Sequence, residues 1–376
     1  MKIIKGKWLY TGKKVIKNFE MHIEDGIITY LDECHERDID DIYVIPGLID
    51  GHCHLINEEV DSSKTGAKAV LHGYRNALKM LKDGFVAIRD LGSPRDYVLG
   101  IRDYIDEGYL GPKIVSAGRA ICITSGHGTH IGMVCNGPEA VRHGVRKLIK
   151  ENVDLIKIMA SGGVGSRGKE PGPQEMSNEE ILMAVETAHM HGRKVSAHAH
   201  GYETIRACIE AGVDSIEHGV FLKEDLIQSM IQKSTYVVPT FSAPYYATKE
   251  GLKDHPEDPL HKASLSVLED HRKNIYKAYR AGVNVAFGTD VGTPYNLHGK
   301  GSYELVLMTK AGFTPEEAIK SATYEAARLL GLKLGLLERG YEASFLVLED
   351  NPFEDIESVS REKTVYLKGI KLEEVL

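Results

Sequence analysis

Five short stretches of this chain carry side chains whose type and spacing could bind a metal ion. "DGHCHL" sets His52 and His54 two residues apart, and "SAHAHG" does the same with His198 and His200. On a strand, side chains two apart share a face, so each pair turns two imidazoles the same way. Two readings stand for such a pair alone: ligands of one cation, or histidines satisfied by hydrogen bonds. "DSIEHG" ends on His218 and "FGTDVG" holds Asp290. "DLIKIMASGG" sets Lys157 among Ile156, Ile158 and Met159. That lysine either snorkels at a strand edge or is buried, which lowers its pKa and yields a neutral amine. Such an amine can add carbon dioxide to become a carbamate, an anionic ligand able to bridge two cations. Nitrogen and oxygen donors without thiolate suit zinc, manganese, iron or nickel.

These residues need elements that bring them to one place. From Val44 onward, short apolar runs alternate with helical stretches. The strand candidates are Val44–Asp50, Phe85–Asp90, Lys113–Ala117, Leu155–Ala160, Lys194–His198, Ser215–His218, Tyr236–Thr240 and Val283–Gly288. Between them lie helices such as 177–192, which opens with a Ser177/Glu180 capping box, and 202–212, which ends on Gly212. Eight such units predict a (β/α)8 TIM barrel over 46–331, whose site lies where the strands end. An open doubly wound sheet is the competing architecture, but no GxGxxG follows the first strand. Residues 1–45 and 332–376 read as strands and turns, with a hairpin signal at "EDG". Neither end is long enough to bury a sheet alone, so the two are expected to pair into one small β-sandwich domain.

The totals narrow the function classes. The 376 residues carry a formal charge of −8, with 42% hydrophobic and 27% charged residues and no basic run, which argues against a nucleic-acid partner. No apolar run of about 18 residues is present, so no membrane span is expected. The opening residues lack the apolar stretch of a leader, and five scattered cysteines read as reduced thiols. A cytoplasmic location follows as an expectation. The partner expected is a small-molecule substrate. A homo-oligomer is also open, since exposed outer helices of such folds often pair.

In order, "PGLIDGHCH", "VDLIKIMASGG", "KVSAHAHG", "VDSIEHG" and "FGTDVGTP" resemble the motifs of the amidohydrolase superfamily in its two-metal, carboxylated-lysine form. "AGFTPEEAIKSAT" and "LEDNPFEDI" resemble its closing helix and terminal β segment. The likeness is greatest to the imidazolonepropionase-related branch that includes Xaa-Pro dipeptidases. It implies that His52, His54 and Asp290 hold the more buried of two divalent ions, zinc being the first expectation. It further implies that Lys157, as its carbamate, bridges both ions, that His198 and His218 hold the second, and that His200 lines the substrate pocket. Ser344 stands where the family usually has an aspartate, which touches stability more than chemistry. The loop 161–177 has a composition of its own, so substrate choice is not copied from relatives.

The chemistry implied is hydrolysis of an amide in a dipeptide or N-acyl amino acid. Two close cations lower the pKa of a shared water toward neutrality, and Asp290 acts as general acid and base. The alternatives are a one-metal deaminase or cyclic-amide hydrolase on the same barrel, which would lack the bridging lysine, and a scaffold without catalysis, which would lose ligands. His127, flanked by glycines in "TSGHGTHIG", is the candidate to steady an oxyanion. His130 nearby, and His298 beyond Asp290, are open between substrate contact and solvated loop. Arg89 could grip a substrate carboxylate or pair with Asp90. His189, His191, His255, His261 and His271 read as surface residues, and Trp8 as packing.

Overall fold

Asp25 and Gly26 form the two-residue turn between the first long strands, with φ of 49° and 77°. Both positive values are what a type I′ hairpin requires, and Asp-Gly supplies them at least cost. The computed structural model describes residues 1–36, 39–56, 66–164 and 172–374; residues 165–171 of the loop singled out above lie outside them. Strands β1 (Lys2–Tyr10), β2 (Val15–Glu24), β3 (Ile27–Glu33) and β4 (Asp40–Pro46) come from the chain start.

Next come β5 (Leu48–Cys53), β6 (Phe85–Asp90) and β7 (Lys113–Ser116), a parallel three-stranded sheet. They are followed by β8 (Ala120–Cys122), β9 (Gly132–Val134), β10 (Leu155–Met159), β11 (Lys194–Ala199), β12 (Ser215–His218) and β13 (Tyr236–Val238), a second parallel sheet. Helices separate most of these strands. β5, β6 and β10 are buried along their whole length, as parallel strands covered on both faces should be.

The two parallel sheets are joined at both margins. The Asp154 N–H donates to the Ser116 carbonyl at 2.9 Å, linking β7 toward β10. Residues 284–291 run between β13 and β5: the Val237 N–H donates to Asn284 O at 3.0 Å, and Gly51 N–H to Phe287 O at 2.9 Å. The eighth strand expected over Val283–Gly288 is not a regular strand but a set of isolated bridges, at Val285 and Val291. The reason is where its backbone bonds go. The Phe287 N–H leaves the ladder for Ser321 O at 3.1 Å, a carbonyl of the π-helical turn Ser321–Glu325.

β14 (Phe345–Leu348), β15 (Thr364–Leu367) and β16 (Ile370–Lys371) return to the N-terminal strands. Together they make one mixed sheet in the order β16-β15-β14-β4-β1-β2-β3. Both termini do share one sheet, but it is a single sheet curled on itself. The Ala343 N–H donates to Gly26 O at 2.8 Å and the Gly369 N–H to Ala343 O at 2.8 Å, closing the ends toward each other. Leu9, Val44 and Phe345 pack inside the curl, while their neighbours Tyr10, Ile45 and Leu346 join the main core, the two-residue alternation of a strand. Trp8 packs there edge-on to Phe353 at 4.9 Å. Ser344 is buried in this sheet, donating to Glu342 Oε1 at 2.6 Å and accepting from Lys368 N–H at 3.1 Å.

The capping box at Ser177 forms, opening the helix Asn178–Met190, and Gly212 ends Tyr202–Ala211 in the left-handed region. One set of surface assignments is overturned. His261 and His271 are 2% and 1% exposed, on the long helix Pro259–Arg280. Its buried stripe is His261, Ser264, Val267, His271, Ile275 and Ala278, an i, i+3, i+4 face turned to the core. His189, His191 and His255 are exposed as expected.

Candidate metal centre

Two groups of donors meet where β5, β11 and β12 end. His52, His54 and Asp290 form one, and His198, His200 and His218 the other, with ligand atoms in each group within 4.8 Å of one another. The Asp290 carboxylate sits 3.2 Å from Nε2 of both His52 and His54. His218 Nε2 lies 2.9 Å from His198 Nδ1. Lys157, from β10, lines the same cavity as His52, His54, His198, His218 and Asp290. All six residues expected to gather here do so, and His200 joins them.

Three of the imidazoles are aimed by a bond at the far nitrogen. His54 Nδ1–H donates to the Gly92 carbonyl at 2.8 Å, which turns Nε2 toward Asp290. His52 Nδ1–H donates to Glu217 Oε2 at 2.8 Å. His218 Nδ1 shares a 2.6 Å hydrogen bond with the Thr240 hydroxyl. Fixing one nitrogen in this way presents the other as a ligand atom. Three strand-end residues, His218, Thr240 and Asp290, hold φ of 68°, 55° and 57°. Non-glycine residues take that region at a cost of about 1 kcal/mol or more each. The turn at His218 lets consecutive residues, Glu217 and His218, both serve the centre.

Charge follows burial. Burial lowers the Lys157 amine to about 8, and its Nζ has no hydrogen-bond partner. An orphaned buried amine is costly, and one among imidazoles and carboxylates fits a centre that carries cations. Burial opposes the charge of Asp290, but His52 and His54 overcome it and hold the carboxyl well below its usual range. Burial also lowers His127 to about 4 and His200 to about 3, and pushes His198 and His218 well below the ordinary imidazole value. All four rings are therefore neutral at pH 7, the state in which imidazole binds metal.

Glu217 is the residue that reading along the chain missed. It is fully buried and collects bonds from His52, Arg89 Nη2 (2.9 Å), Ser196 (2.7 Å) and Ser215 (2.6 Å). An acidic residue inside the apolar strand "SIEH" is the same signal that singled out Lys157. Arg89 is corrected with it. Buried to 3% exposure, it pairs with Glu217 rather than Asp90, and it also donates to the Gly51 carbonyl and Ser215 Oγ, so it is not free to grip substrate. Asp90 instead accepts from the Leu55 N–H at 2.9 Å.

His127 lies against the centre, its ring 4.5 Å from that of His198. Gly163 leaves it room: a Cβ there would stand 2.9 Å from the His127 ring. His130 lines the wider cavity. His298 turns out to donate Nε2–H to the His54 carbonyl at 2.9 Å, steadying a metal-facing histidine from behind. Two cavities open from the centre and share His127, His198, His218 and Asp290. The larger, about 770 Å³, reaches Glu250, Tyr295 and Lys300. The smaller, about 390 Å³, is walled by Val220, Ala243, Ala247, Leu260 and Val267. His200 lines only the smaller one, whereas His198 lines both.

An α/β fold with nitrogen and oxygen donors gathered at its strand ends defines the class of protein. Residues 43–371 match the amidohydrolase family, and the chain belongs to that family; it is a hydrolase of carbon–nitrogen bonds. Ochratoxinase of Aspergillus niger is 32% identical over 95% of this chain and 83% of its own length. The crystal structure of A. niger ochratoxinase superposes with a TM-score of 0.86 at 28% identity, covering 98% of this chain and 94% of that one. A Xaa-Pro dipeptidase with methionine bound in its active site superposes at 0.89, 32% identical over 98% of both chains. A prolidase complexed with N-methylphosphonate-L-proline superposes at 0.88, 27% identical over 98% of each. Among the described residues no helix is long and apolar enough to cross a membrane.

Proposed function

We propose that this chain is a two-metal amidohydrolase that cleaves the amide bond of a dipeptide, Xaa-Pro or similar, or of an N-acyl amino acid. The observation that carries the reading is Lys157: a fully buried amine without a partner, lining one cavity with His52, His54 and Asp290 of one donor group and His198 and His218 of the other. Its lowered pKa favours the neutral form, whose nitrogen can bond to carbon dioxide and release a proton, giving a carbamate. His52, His54 and Asp290 would hold one divalent ion, His198 and His218 the other, and the carbamate both. His198 rather than His200 is assigned because it alone of the two borders both cavities. The bridged sheets are read as one (β/α)8 barrel spanning 46–331, with 1–45 and 332–376 as a second domain.

Two such cations, zinc being the first choice, lower the pKa of bound water and polarise the substrate carbonyl when present. The protein's own groups do the rest. Asp290 stays ionised, so it can take a proton from the attacking water and pass it to the leaving nitrogen. Neutral His127 can donate a hydrogen bond to the oxygen that gains charge, and His200 lines the space beside it. The neighbours that share nearly the whole chain include a Xaa-Pro dipeptidase and ochratoxinase, which supports an amide substrate. A one-metal reading would leave Lys157 with no role.

The test is metal analysis of the purified protein, expected at close to two divalent ions per chain, with chelation abolishing amide hydrolysis. Lys157→Ala should lose both metal and turnover, and short carboxylic acids should restore part of each. A fully active Lys157→Ala protein, or one ion per active chain, would overturn the assignment.

A further inference from the structure

The two cavities that meet at the centre differ in chemistry, and that difference carries information about the substrate. Among the described residues the larger is edged by Lys157, Glu250 and Lys300. Among the described residues the smaller is lined by no lysine, arginine or glutamate, and its one carboxylate is Asp290, at the end it shares with the centre. Val220, Ala243, Ala247, Leu260 and Val267 make most of its wall, with Ser264 and His271 beside them. His271 spends its Nε2–H on the His218 carbonyl at 2.8 Å, so that donor is not offered to the cavity. About 390 Å³ falls within the range of small-molecule pockets, and a mostly apolar wall disfavours a charged group left without a partner.

The wall is also built with unusual backbone. Ala247 opens a five-residue π-helical turn, Ala247–Gly251, a departure from α-helix that recurs at functional sites. Gly251 in that turn has no room for a side chain: a Cβ would stand 2.4 Å from His261 Nε2 on the facing helix. The roof is thus locked onto the helix Pro259–Arg280, and small residues, Ala243 and Ala247, keep the space beneath it open.

We infer that this smaller cavity receives a bulky apolar side chain next to the scissile amide, so that the enzyme selects amides of leucine-, methionine- or phenylalanine-like residues over glycine and over charged residues. The inference rests on the amide-hydrolase reading. Each added methylene in a fitting apolar pocket is worth roughly 10-fold or more in kcat/KM.

The test uses the metal-loaded protein and two substrate series, one varying the acyl side chain and one varying the amine side chain, each through Gly, Ala, Leu, Phe, Asp and Lys. In at least one series kcat/KM should rise by at least about 100-fold from Gly to Leu or Phe, with Asp and Lys below Ala. Ala243→Phe fills the cavity and should lower the Leu-to-Gly ratio at least about 10-fold. Leu260→Ala enlarges it and should shift the preference from Leu toward Phe, which keeps the test intact if the first variant does not fold. Flat series, a preference for charged side chains, or ratios unmoved in both variants would overturn the inference. If no amide is cleaved, the amide reading has failed; the cavity is then judged by calorimetric binding of N-acetyl-leucine against N-acetyl-glycine and N-acetyl-aspartate, where equal affinities overturn it.

Discussion

At the scale of single residues, the centre depends on groups that never touch a substrate. Glu217 accepts from His52, Arg89 and two serines, so it fixes which His52 nitrogen is bare. Glu217→Gln keeps the shape but offers Arg89 and His52 no anion. Metal affinity should fall about 10- to 100-fold, measured by competition with a chromophoric chelator, while the far-ultraviolet dichroism stays unchanged. Unchanged affinity would mean that His52 is oriented by its packing alone. His52, His54 and Lys157 are legible in the sequence because strand alternation and an apolar setting mark them. Thr240 and the Glu217–His218 pair are not, because their roles depend on positive φ at His218 and Thr240. No local signal announces a left-handed non-glycine residue. Arg89 was ambiguous for a different reason: its partner lies 128 positions away.

Among elements, the helix Pro259–Arg280 has the broadest consequence. It buries His271 against the strand-end carbonyl of His218 and is the outer wall of the smaller cavity. Its periodic stripe was present in the sequence, but histidines in a charged helix read as surface until the stripe is traced. Burial lowers His271 to about 4, against about 6.5 when unfolded. The unfolded chain therefore binds the proton first, and stability present above pH 6.5 is lost as pH falls toward 4. For this one ring the loss is about 3 kcal/mol at most. His271→Phe should flatten the acid limb of a urea-unfolding series between pH 6.5 and 4, measured on metal-free protein. An unchanged slope would show that other groups carry it. The strands around the site were legible as elements, except residues 284–291, whose bonds are divided between β13, β5 and the Ser321 carbonyl.

For the whole molecule, the junction between the terminal sheet and the remainder is held by a buried ion pair. Lys363, just before β15, reaches Asp83 at 3.4 Å, with both side chains about 5% exposed. Asp83 also accepts from the Ser302 N–H at 3.0 Å and its hydroxyl at 2.7 Å. Asp83→Asn leaves a buried ammonium uncompensated and should cost about 3–5 kcal/mol in denaturant unfolding. Adding Lys363→Met should recover much of that loss; no recovery would place the cost in the Ser302 bonds instead. The curled sheet has one more implication, for the order in which the protein is made. β4 takes β14 as its neighbour, Ile45 opposite Leu346, about 300 residues later. At ribosomal speed that is roughly 15 to 60 s during which the emerging chain presents an unpaired strand edge open to misassociation, so nascent chains stalled before Phe345 should be the species that chaperones hold.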